Sequence, residues 1–261
     1  MLIRHRWGVR LRSWLTVLAV LCTSTVAGAQ EAPPRLRAAN LPGDISIDGQ
    51  LNEPAWATAE SADGFRQTEP DEGAPASNRT TVRVLAGPKA LVIGIVCDDA
   101  DAERIVSYSV RRDASLNSED HVRIVLGPFL DGRSGYVFAV NPGGAHYDAL
   151  VEPGGDSENA DWDGIWEAKT SRSSTGWTAE IWIPVQTLSF KPGLREWHLN
   201  VQRRIQRRLE TDRWASPARQ YKVTQTSRAG LLTDLPEFSL GVGLSVRPAL
   251  TGGGGIPKAS A

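Results

Sequence analysis

The chain has 261 residues, 29 of them basic and 30 acidic, so its formal net charge at pH 7 is −1. This balance argues against nucleic acid as a partner, because nucleic-acid binding needs a concentrated basic face. The length is sufficient for a fold that is held by its own hydrophobic core.

Residues 1–29 have the pattern of a secretory signal peptide. Residues 1–12 contain four arginines and no acid, and the apolar run WLTVLAVLCTSTVA and the small residues AGA then precede Gln30. This order is typical of a signal that is cleaved after Ala29. The apolar run is shorter than the about 20 residues of a membrane-spanning helix. We therefore expect an exported protein that is periplasmic, outer-membrane-associated or extracellular.

Cleavage would make the chain mildly acidic and leave it one cysteine. It removes four arginines and no acidic residue, so that 25 basic residues remain against 30 acidic ones. The remaining cysteine, Cys97, lies in the apolar run ALVIGIVC, which favours a small buried hydrophobic residue over a nucleophile. A single thiol forms no internal disulfide, so packing must hold the fold.

Residues 30–40, with two prolines, predict a flexible leader, and residues 41–235 predict an all-β domain. In the domain, short apolar-rich runs are separated by Gly, Pro, Asp and Asn; they are TTVRVLA, ALVIGIVC, HVRIVLG, GYVFAVN, IWEAKT, GWTAEIWIP and WHLNVQRRI. Several of these runs alternate with period two, as in GWTAEIWIP, where one face carries Trp177, Ala179, Ile181 and Ile183. We expect Trp177 and Trp197 to lie in the core. ALVIGIVC is apolar on both faces and predicts a central strand.

Helical patterns are few. They comprise PAWATAE, residues 102–106 and one turn after Pro184. Many short strands with turn-rich links predict an antiparallel β-sandwich, immunoglobulin-like or jelly-roll-like, with one or two short helices.

Residues 236–261 leave two interpretations open. An apolar face alternates there with glycine, serine and arginine; its members are Leu240, Val242, Leu244 and Val246. This alternation is typical of a transmembrane β-barrel strand, which needs neighbouring strands to pair with. An edge strand followed by a tail fits equally well. The first interpretation makes the chain the front piece of a longer outer-membrane protein, with a barrel region as its partner.

The run IDGQLNEPAW resembles the opening signature of family 9 carbohydrate-binding modules. The residues that match are Ile47, Asp48, Gly49, Leu51, Glu53 and Trp56. The runs RRDASLNSEDHVRIVLGPFLDGRSGYVFAVNPGG and WDGIWEAKTSRSSTGWTAEIWIP also resemble this family, above all the subgroup found ahead of a β-barrel in bacterial outer-membrane proteins. The resemblance implies a β-sandwich over residues 41–235 that binds an oligosaccharide or polysaccharide, in some members with structural calcium. It also implies a module without catalysis of its own that accompanies glycoside hydrolases in polysaccharide breakdown or uptake.

The opening run itself has a structural explanation. Asp48 and Gly49 suit a tight turn, and Pro54 suits the first turn of a helix. We expect Trp56 to plug one end of the sandwich. The run then identifies the fold and does not bind the ligand.

A sugar site needs an aromatic face and planar polar groups. In DSENADWDGIWE, Trp162 and Trp166 would project to the same side of a strand, about 13 Å apart. Trp166, beside Ile165, also suits the core. Trp182 is a further candidate because it lies opposite the face of Ile181 and Ile183.

Polar candidates for the sugar site precede and follow the predicted strands. Arg111 and Arg112 supply planar donors for vicinal hydroxyls, although Arg112 suits an ion pair with Asp120 equally well. Asn141 is placed to orient a hydroxyl or to satisfy the turn that it forms with Pro142. One of Arg203 and Arg204 is expected to face inward with a buried partner.

Two acidic loops could supply calcium ligands. They contain Asp98, Asp99 and Asp101, and Asp156, Glu158, Asp161 and Asp163. Neither has the spacing of an EF-hand, so solvated acidic loops are favoured over a calcium site. His121, His146 and His198 lack the spacing of a zinc site.

Three further functional classes remain open. A glycoside hydrolase would need two carboxylates flanking a scissile bond, and 30 acidic residues do not exclude such a pair. A domain that packs against its own barrel would bind no sugar. A haem-binding relative is disfavoured because Met1 is the one methionine. We expect a non-catalytic carbohydrate-binding module.

Overall fold

The computed structural model of the chain describes residues 32–43 and 45–238. The predicted signal peptide and the alternating run from Leu240 to Val246 lie outside these residues. In the described part, the strands in chain order are β1 (Arg35–Arg37), β2 (Ala39–Asn40), β3 (Arg66–Glu69), β4 (Thr80–Ala86), β5 (Ala90–Asp98), β6 (His121–Gly127), β7 (Gly135–Val140), β8 (His146–Val151), β9 (Glu158–Asn159), β10 (Glu167–Ser173), β11 (Gly176–Pro184), β12 (Trp197–Ile205), β13 (Glu210–Arg213) and β14 (Gly230–Thr233).

These strands form two sheets. The nine-stranded sheet has the order β1-β14-β12-β6-β7-β8-β9, and β13 joins β3 to the free part of β12. The five-stranded sheet has the order β10-β11-β5-β4-β2. Among the described strands, β1 with β14 and β2 with β4 pair in parallel, and the other pairs are antiparallel. The predicted all-β sandwich is confirmed.

The main core lies between the two sheets. Alternate residues of β4, β5, β6, β7, β11 and β12 point into it, which is the arrangement that period-two alternation predicts. Trp177 and Trp197 are buried in this core, as predicted, and so is Cys97. β5 lies between β4 and β11, which confirms ALVIGIVC as a central strand.

Some strands and one boundary differ from the predictions. HYDALV forms β8 at residues 146–151, although its His and Asp side chains weaken the apolar pattern. The short strands β3, β13 and β14 likewise lack a readable alternation. IWEAKT was predicted from Ile165, but β10 begins at Glu167 and Ile165 is 78% exposed.

The prediction of a flexible leader is corrected for residues 35–40. β1 pairs with β14 and β2 pairs with β4, so this short segment joins both sheets. Leu36 is fully buried in the main core. The sequence does not reveal these two strands, since two prolines precede them and the segment has few apolar residues. Their pairing partners, moreover, are distant in sequence.

The opening run covers the outer face of the five-stranded sheet. Gly49 has a φ of +88°, and α1 (Pro54–Thr58) begins at Pro54, so the predicted turn and helix start are confirmed. Trp56 does not plug an end of the sandwich: it packs against Leu85 and Val92 on that outer face. The run therefore forms a cover that gives the small sheet a second apolar layer.

One-turn helices and an inward arginine complete the framework. The 3₁₀ turns Ala102–Arg104 and Val185–Thr187 occupy two predicted helical positions; two more span Gln206–Arg208 and Thr226–Arg228. Arg203 faces inward, as predicted for one of Arg203 and Arg204, and donates to the carbonyl oxygens of Arg79 and Asp98 at 3.1 and 2.8 Å.

No helix among the described residues is long and apolar enough to cross a membrane.

Candidate functional site

The two tryptophans of DSENADWDGIWE pack onto the core from a loop. Residues 160–166 form no strand, so the predicted spacing along a strand does not apply. Phe138 packs edge-to-face against both rings, with centroid distances of 6.0 Å to Trp162 and 5.1 Å to Trp166. Trp162 also packs on Tyr136 and is partly buried, whereas Trp166 is buried. Sugar binding by these rings stays a prediction.

Trp182 lies on the outward face of β11, where the alternation predicts it. Its ring is partly buried in the cluster that the opening run forms with Trp56, Leu85 and Val92. Much of its surface is therefore taken up by packing within the chain.

Arg112 is the centre of an ion cluster, while Arg111 is exposed. Arg112 donates to the buried Asp148 at 2.6 Å and to the Gly164 carbonyl at 2.9 Å, and it also pairs with Asp163. Its carboxylate partners are thus not Asp120, whose Oδ1 instead accepts from the backbone N–H of Gln206 at 2.9 Å. The Arg112 cluster fastens the loop before β10 to β8.

Asn141 is fully buried and its amide is saturated with hydrogen bonds. Nδ2 donates to Ser109 O and to Glu119 Oε2, both at 2.9 Å. Oδ1 accepts from the backbone N–H groups of Gly143 and Ala145 at 3.0 and 2.8 Å. The structure therefore uses Asn141 to close the β7–β8 turn.

The carboxylates of the two acidic loops either pair with arginine side chains or are exposed. Asp99 accepts two hydrogen bonds from Arg207, at 2.7 and 2.5 Å. Glu158 pairs with Arg123, while the predicted ligands Asp98, Asp101, Asp156 and Asp161 are exposed. Among the described residues, no group of three or more His, Cys, Asp or Glu side chains is placed to hold a metal ion. The loops do not gather the oxygens that calcium needs, and calcium binding stays a prediction.

A different set of residues forms a groove on the outer face of the nine-stranded sheet. Two adjacent cavities of about 340 and 300 Å³ share Arg123 and Glu158 as lining residues. The first is bounded by residues 113–117 and β6–β8, and the second by β3, β12, β13 and residues 219–224. We call the two cavities together the sheet groove. Each cavity alone is at the lower end of the size range for small-molecule sites, and the two together lie well within that range.

Arg123 and Glu158 form the boundary between the cavities, and Tyr147, which lines the first cavity, contacts both of them. Arg123 donates to Glu158 Oε2 at 2.7 Å, and the Tyr147 hydroxyl donates to the same oxygen at 3.2 Å. The Arg123 guanidinium carbon lies 5.6 Å from the centroid of the Tyr147 ring. Burial, together with the neighbouring Glu158 charge, raises the pKa of Tyr147 to about 12, so its hydroxyl stays protonated at neutral pH.

The first cavity has a largely uncharged floor. Leu116 and Ala139 pack together beneath it, and His121 is buried with its Nδ1 donating to the Glu119 carbonyl at 3.0 Å. Burial lowers the pKa of His121 to about 4, so the imidazole is neutral at pH 7. This cavity offers an apolar patch beside the Arg123–Glu158 pair.

The second cavity contains a buried arginine, Arg213, which is 4% exposed. Arg213 donates to the carbonyl oxygens of Ser216 and Tyr221 at 3.1 and 2.9 Å, and to Gln202 Oε1 at 3.1 Å. These partners are uncharged, and burial lowers the pKa of Arg213 to about 10. Tyr221 presents a second aromatic ring, with the Arg228 guanidinium 4.4 Å from its centroid.

The sequence predictions missed most of this groove. The alternation in HVRIVLG does place Arg123 opposite the inward Val122 and Ile124, so this residue was readable as an outward arginine. Tyr147 lies on the unpredicted strand β8, and Glu158 was considered only as a calcium ligand. Arg213 and the loop after it carry no local signal, because only the sheet order brings them beside Arg123.

No protein-family model and no curated protein matches the chain. Solved structures do. A family 9 carbohydrate-binding module from Caldicellulosiruptor kristjanssonii in complex with cellotriose is 17% identical, with a TM-score of 0.55 over 82% of this chain and 100% of that chain. A family 9 module from the same organism in complex with glucose is 14% identical, with a TM-score of 0.57 over 81% and 100%. A putative carbohydrate-binding protein from Bacteroides uniformis is 12% identical, with a TM-score of 0.62 over 77% and 99%. The chain therefore has the fold of family 9 carbohydrate-binding modules, which confirms the fold that the resemblance implies.

Proposed function

We propose that the chain is an exported, non-catalytic carbohydrate-binding module and that the sheet groove holds the saccharide. Similarity in fold to modules solved with cellotriose and glucose supports saccharide binding. The basic, apolar and small-residue regions of residues 1–29 support export. Association with an outer-membrane barrel is part of the proposal only through the alternation from Leu240 to Val246.

The chemistry of the groove is the observation that carries the proposal. Tyr147 and Tyr221 supply aromatic surface, and Arg123, Glu158 and Gln202 supply planar donors and acceptors. A sugar ring needs both, because its C–H face packs on aromatic rings while its hydroxyls require hydrogen bonds. The groove combines them on rigid strands rather than on loops alone.

The position of Glu158 favours binding over catalysis. This carboxylate, at the boundary between the cavities, accepts hydrogen bonds from Arg123 and Tyr147. Such an arrangement suits a hydrogen-bond acceptor that is held in place. We therefore assign Glu158 the role of orienting Arg123 and a sugar hydroxyl.

Calorimetric titration with an array of soluble oligosaccharides, including cellotriose and glucose, tests the proposal. The array is run with and without calcium, which also tests the predicted calcium ligands. We expect binding that Tyr147→Ala weakens by about tenfold or more, the equivalent of about 1.4 kcal/mol. Trp162→Ala is the matched comparison, because Trp162 is the alternative aromatic site and lies against the main core.

The two variants locate the site. Loss of binding in Tyr147→Ala alone supports the groove. Loss in Trp162→Ala alone, with the fold intact by circular dichroism, moves the site to the loop before β10. A folded protein that binds nothing across the array contradicts the proposed function.

A further inference from the structure

The second cavity of the groove carries a surplus of positive charge. Four basic side chains line it, namely Arg123, Arg213, Arg219 and Lys222, against the two acidic side chains Glu69 and Glu158. The whole chain has a formal net charge of −1, so this surplus is local. The two acids are also engaged: Glu158 pairs with Arg123 at 2.7 Å, and Glu69 lies 4.0 Å from Arg204.

Resting on the proposed function, we infer that the saccharide bound in the groove is acidic, with an oxyanion substituent on the sugar that binds in the second cavity. The substituent is of the class of a uronic acid carboxylate or a sulfate ester. The planar fork of arginine matches such oxyanions in geometry as well as in charge.

Arg213 is the first support. It is buried on the floor of this cavity, yet its partners are two backbone carbonyls and an amide oxygen. Its Nε has no hydrogen-bond partner within the described part of the chain and is inaccessible to solvent. A buried charge without a counter-charge is costly, and a nearby anion lowers that cost. An oxyanion in the cavity would supply the missing negative charge.

Arg219 and Lys222 are the second support. Arg219 Nε donates to the Thr68 carbonyl at 3.0 Å and Lys222 Nζ to the Asp156 carbonyl at 2.6 Å. Carbonyls hold these groups in position without neutralising their charge. Arg219 has a carboxylate, Glu72, 3.9 Å away, but both side chains are about half exposed, so water screens the pair. The positive potential at this end of the groove is therefore retained.

The geometry also orients the ligand. The first cavity has an apolar floor at Leu116 and Ala139, whereas the basic side chains line the second. A saccharide that spans both would place a neutral ring over the first cavity and its acidic ring in the second. The Arg123–Glu158 pair would lie under the linkage between the two rings.

The test compares acidic saccharides with neutral counterparts of the same ring and linkage. Trigalacturonate and its methyl ester form one pair, and a sulfated trisaccharide and its unsulfated form make the other. Both are titrated calorimetrically into the full chain. We expect one acid to bind at least about tenfold more tightly than its neutral counterpart, equivalent to about 1.4 kcal/mol. The preference should decrease as NaCl is raised, because salt screens the charges that produce it.

Variants of the exposed basic residues separate charge recognition from loop structure. Arg213→Gln removes contacts that hold the loop after β13, so a failure to fold would make it uninformative. Arg219→Gln and Lys222→Gln alter exposed side chains and should weaken binding of the acid several-fold, and binding of its neutral counterpart much less. Arg83→Gln is the matched control, since Arg83 lies on the outward face of β4 in the other sheet.

The outcomes distinguish this inference from the proposed function. If acids and their neutral counterparts bind equally, or if Arg83→Gln weakens acid binding as much as Arg219→Gln, the inference is overturned and saccharide binding stands. If neither the acids nor the neutral array bind to the folded chain, the proposed function fails and the inference fails with it.

Discussion

At the scale of single residues, Glu180 shows how one carboxylate joins the opening run to a sheet. It lies on the outward face of β11 and is fully buried. It accepts hydrogen bonds from the backbone N–H groups of Asp48 and Gly49 at 2.9 and 2.8 Å and from Trp56 Nε1 at 3.1 Å. The alternation in GWTAEIWIP predicts that Glu180 points outward. Its burial follows only from the segment that covers it.

We expect Glu180→Ala to destabilise the fold by about 2–3 kcal/mol, because two buried donors and the partly buried N–H of Asp48 lose their acceptor, and each unsatisfied buried donor costs about 1 kcal/mol or more. Urea denaturation followed by tryptophan fluorescence measures the change. Glu167→Ala, at an exposed position on the edge strand β10, is the matched control and should change the stability by less than about 0.5 kcal/mol. Equal losses in the two variants would show that Glu180 does not fasten the opening run.

At the scale of elements, the cover formed by the opening run depends on one position of strand β5 that has no side chain. Gly94 faces outward, where a β-carbon would lie 2.5 Å from Leu51 Cδ2 and 2.9 Å from the Trp56 ring. The turn at Gly49 meets β10 equally closely, with Thr170 backbone atoms 2.7 Å from the position of a β-carbon. These two glycines let the opening run lie flat on the sheet.

Gly94→Ala should therefore destabilise the protein by about 1–3 kcal/mol, the usual cost of overpacking a filled site. The free energy of unfolding in urea measures it. In a Leu51→Ala background the same change should cost less, because the nearest atoms have been removed. Equal costs in both backgrounds would show that the cover is displaced as a unit.

At the scale of the whole molecule, two buried titratable groups of the nine-stranded sheet change the stability of the fold in opposite directions as the pH changes. Asp212 is fully buried, and neither of its carboxyl oxygens has a hydrogen-bond partner among the described residues. In the register of β12 and β13 it lies opposite Arg203. Burial, followed by the charge of Glu210, raises the pKa of Asp212 from 3.8 to about 7. Burial lowers the pKa of His121 from 6.5 to about 4.

The two shifts predict opposite slopes of stability against pH. Between about pH 4 and 7 the folded protein keeps a proton on Asp212 that the unfolded chain releases, so this stabilisation is present at low pH and is lost as pH rises through 7. The stability of Asp212→Asn relative to the native chain should therefore increase by about 4 kcal/mol from pH 4 to 8.

His121→Gln is the complementary variant. Between about pH 4 and 6.5 the unfolded chain binds a proton on His121 that the folded protein does not, so this residue lowers stability as the pH falls. The variant should lose less stability than the native chain on acidification. Urea midpoints of the three chains from pH 4 to 8 measure both effects, and parallel curves would contradict both assignments.

The sequence alone determined the fold class, the central strand and the inward tryptophans of β11 and β12. These features are local: alternation with period two places Trp177, Ala179 and Ile181 on one face whatever the order of the strands. The opening run was recognisable for the same reason, since its turn and helix start depend on Gly49 and Pro54.

Only the tertiary structure decided where the side chains of separate strands meet. Arg123, Tyr147 and Glu158 come from three strands, and Arg213 from a fourth whose pattern is too short to read. Trp162 and Trp166 pack on Phe138 because the loop that carries them folds onto β7, which no spacing along the chain reveals. Local patterns specify which way a side chain points within its strand. The order of strands in the sheet specifies its neighbours, and the groove is made of such neighbours.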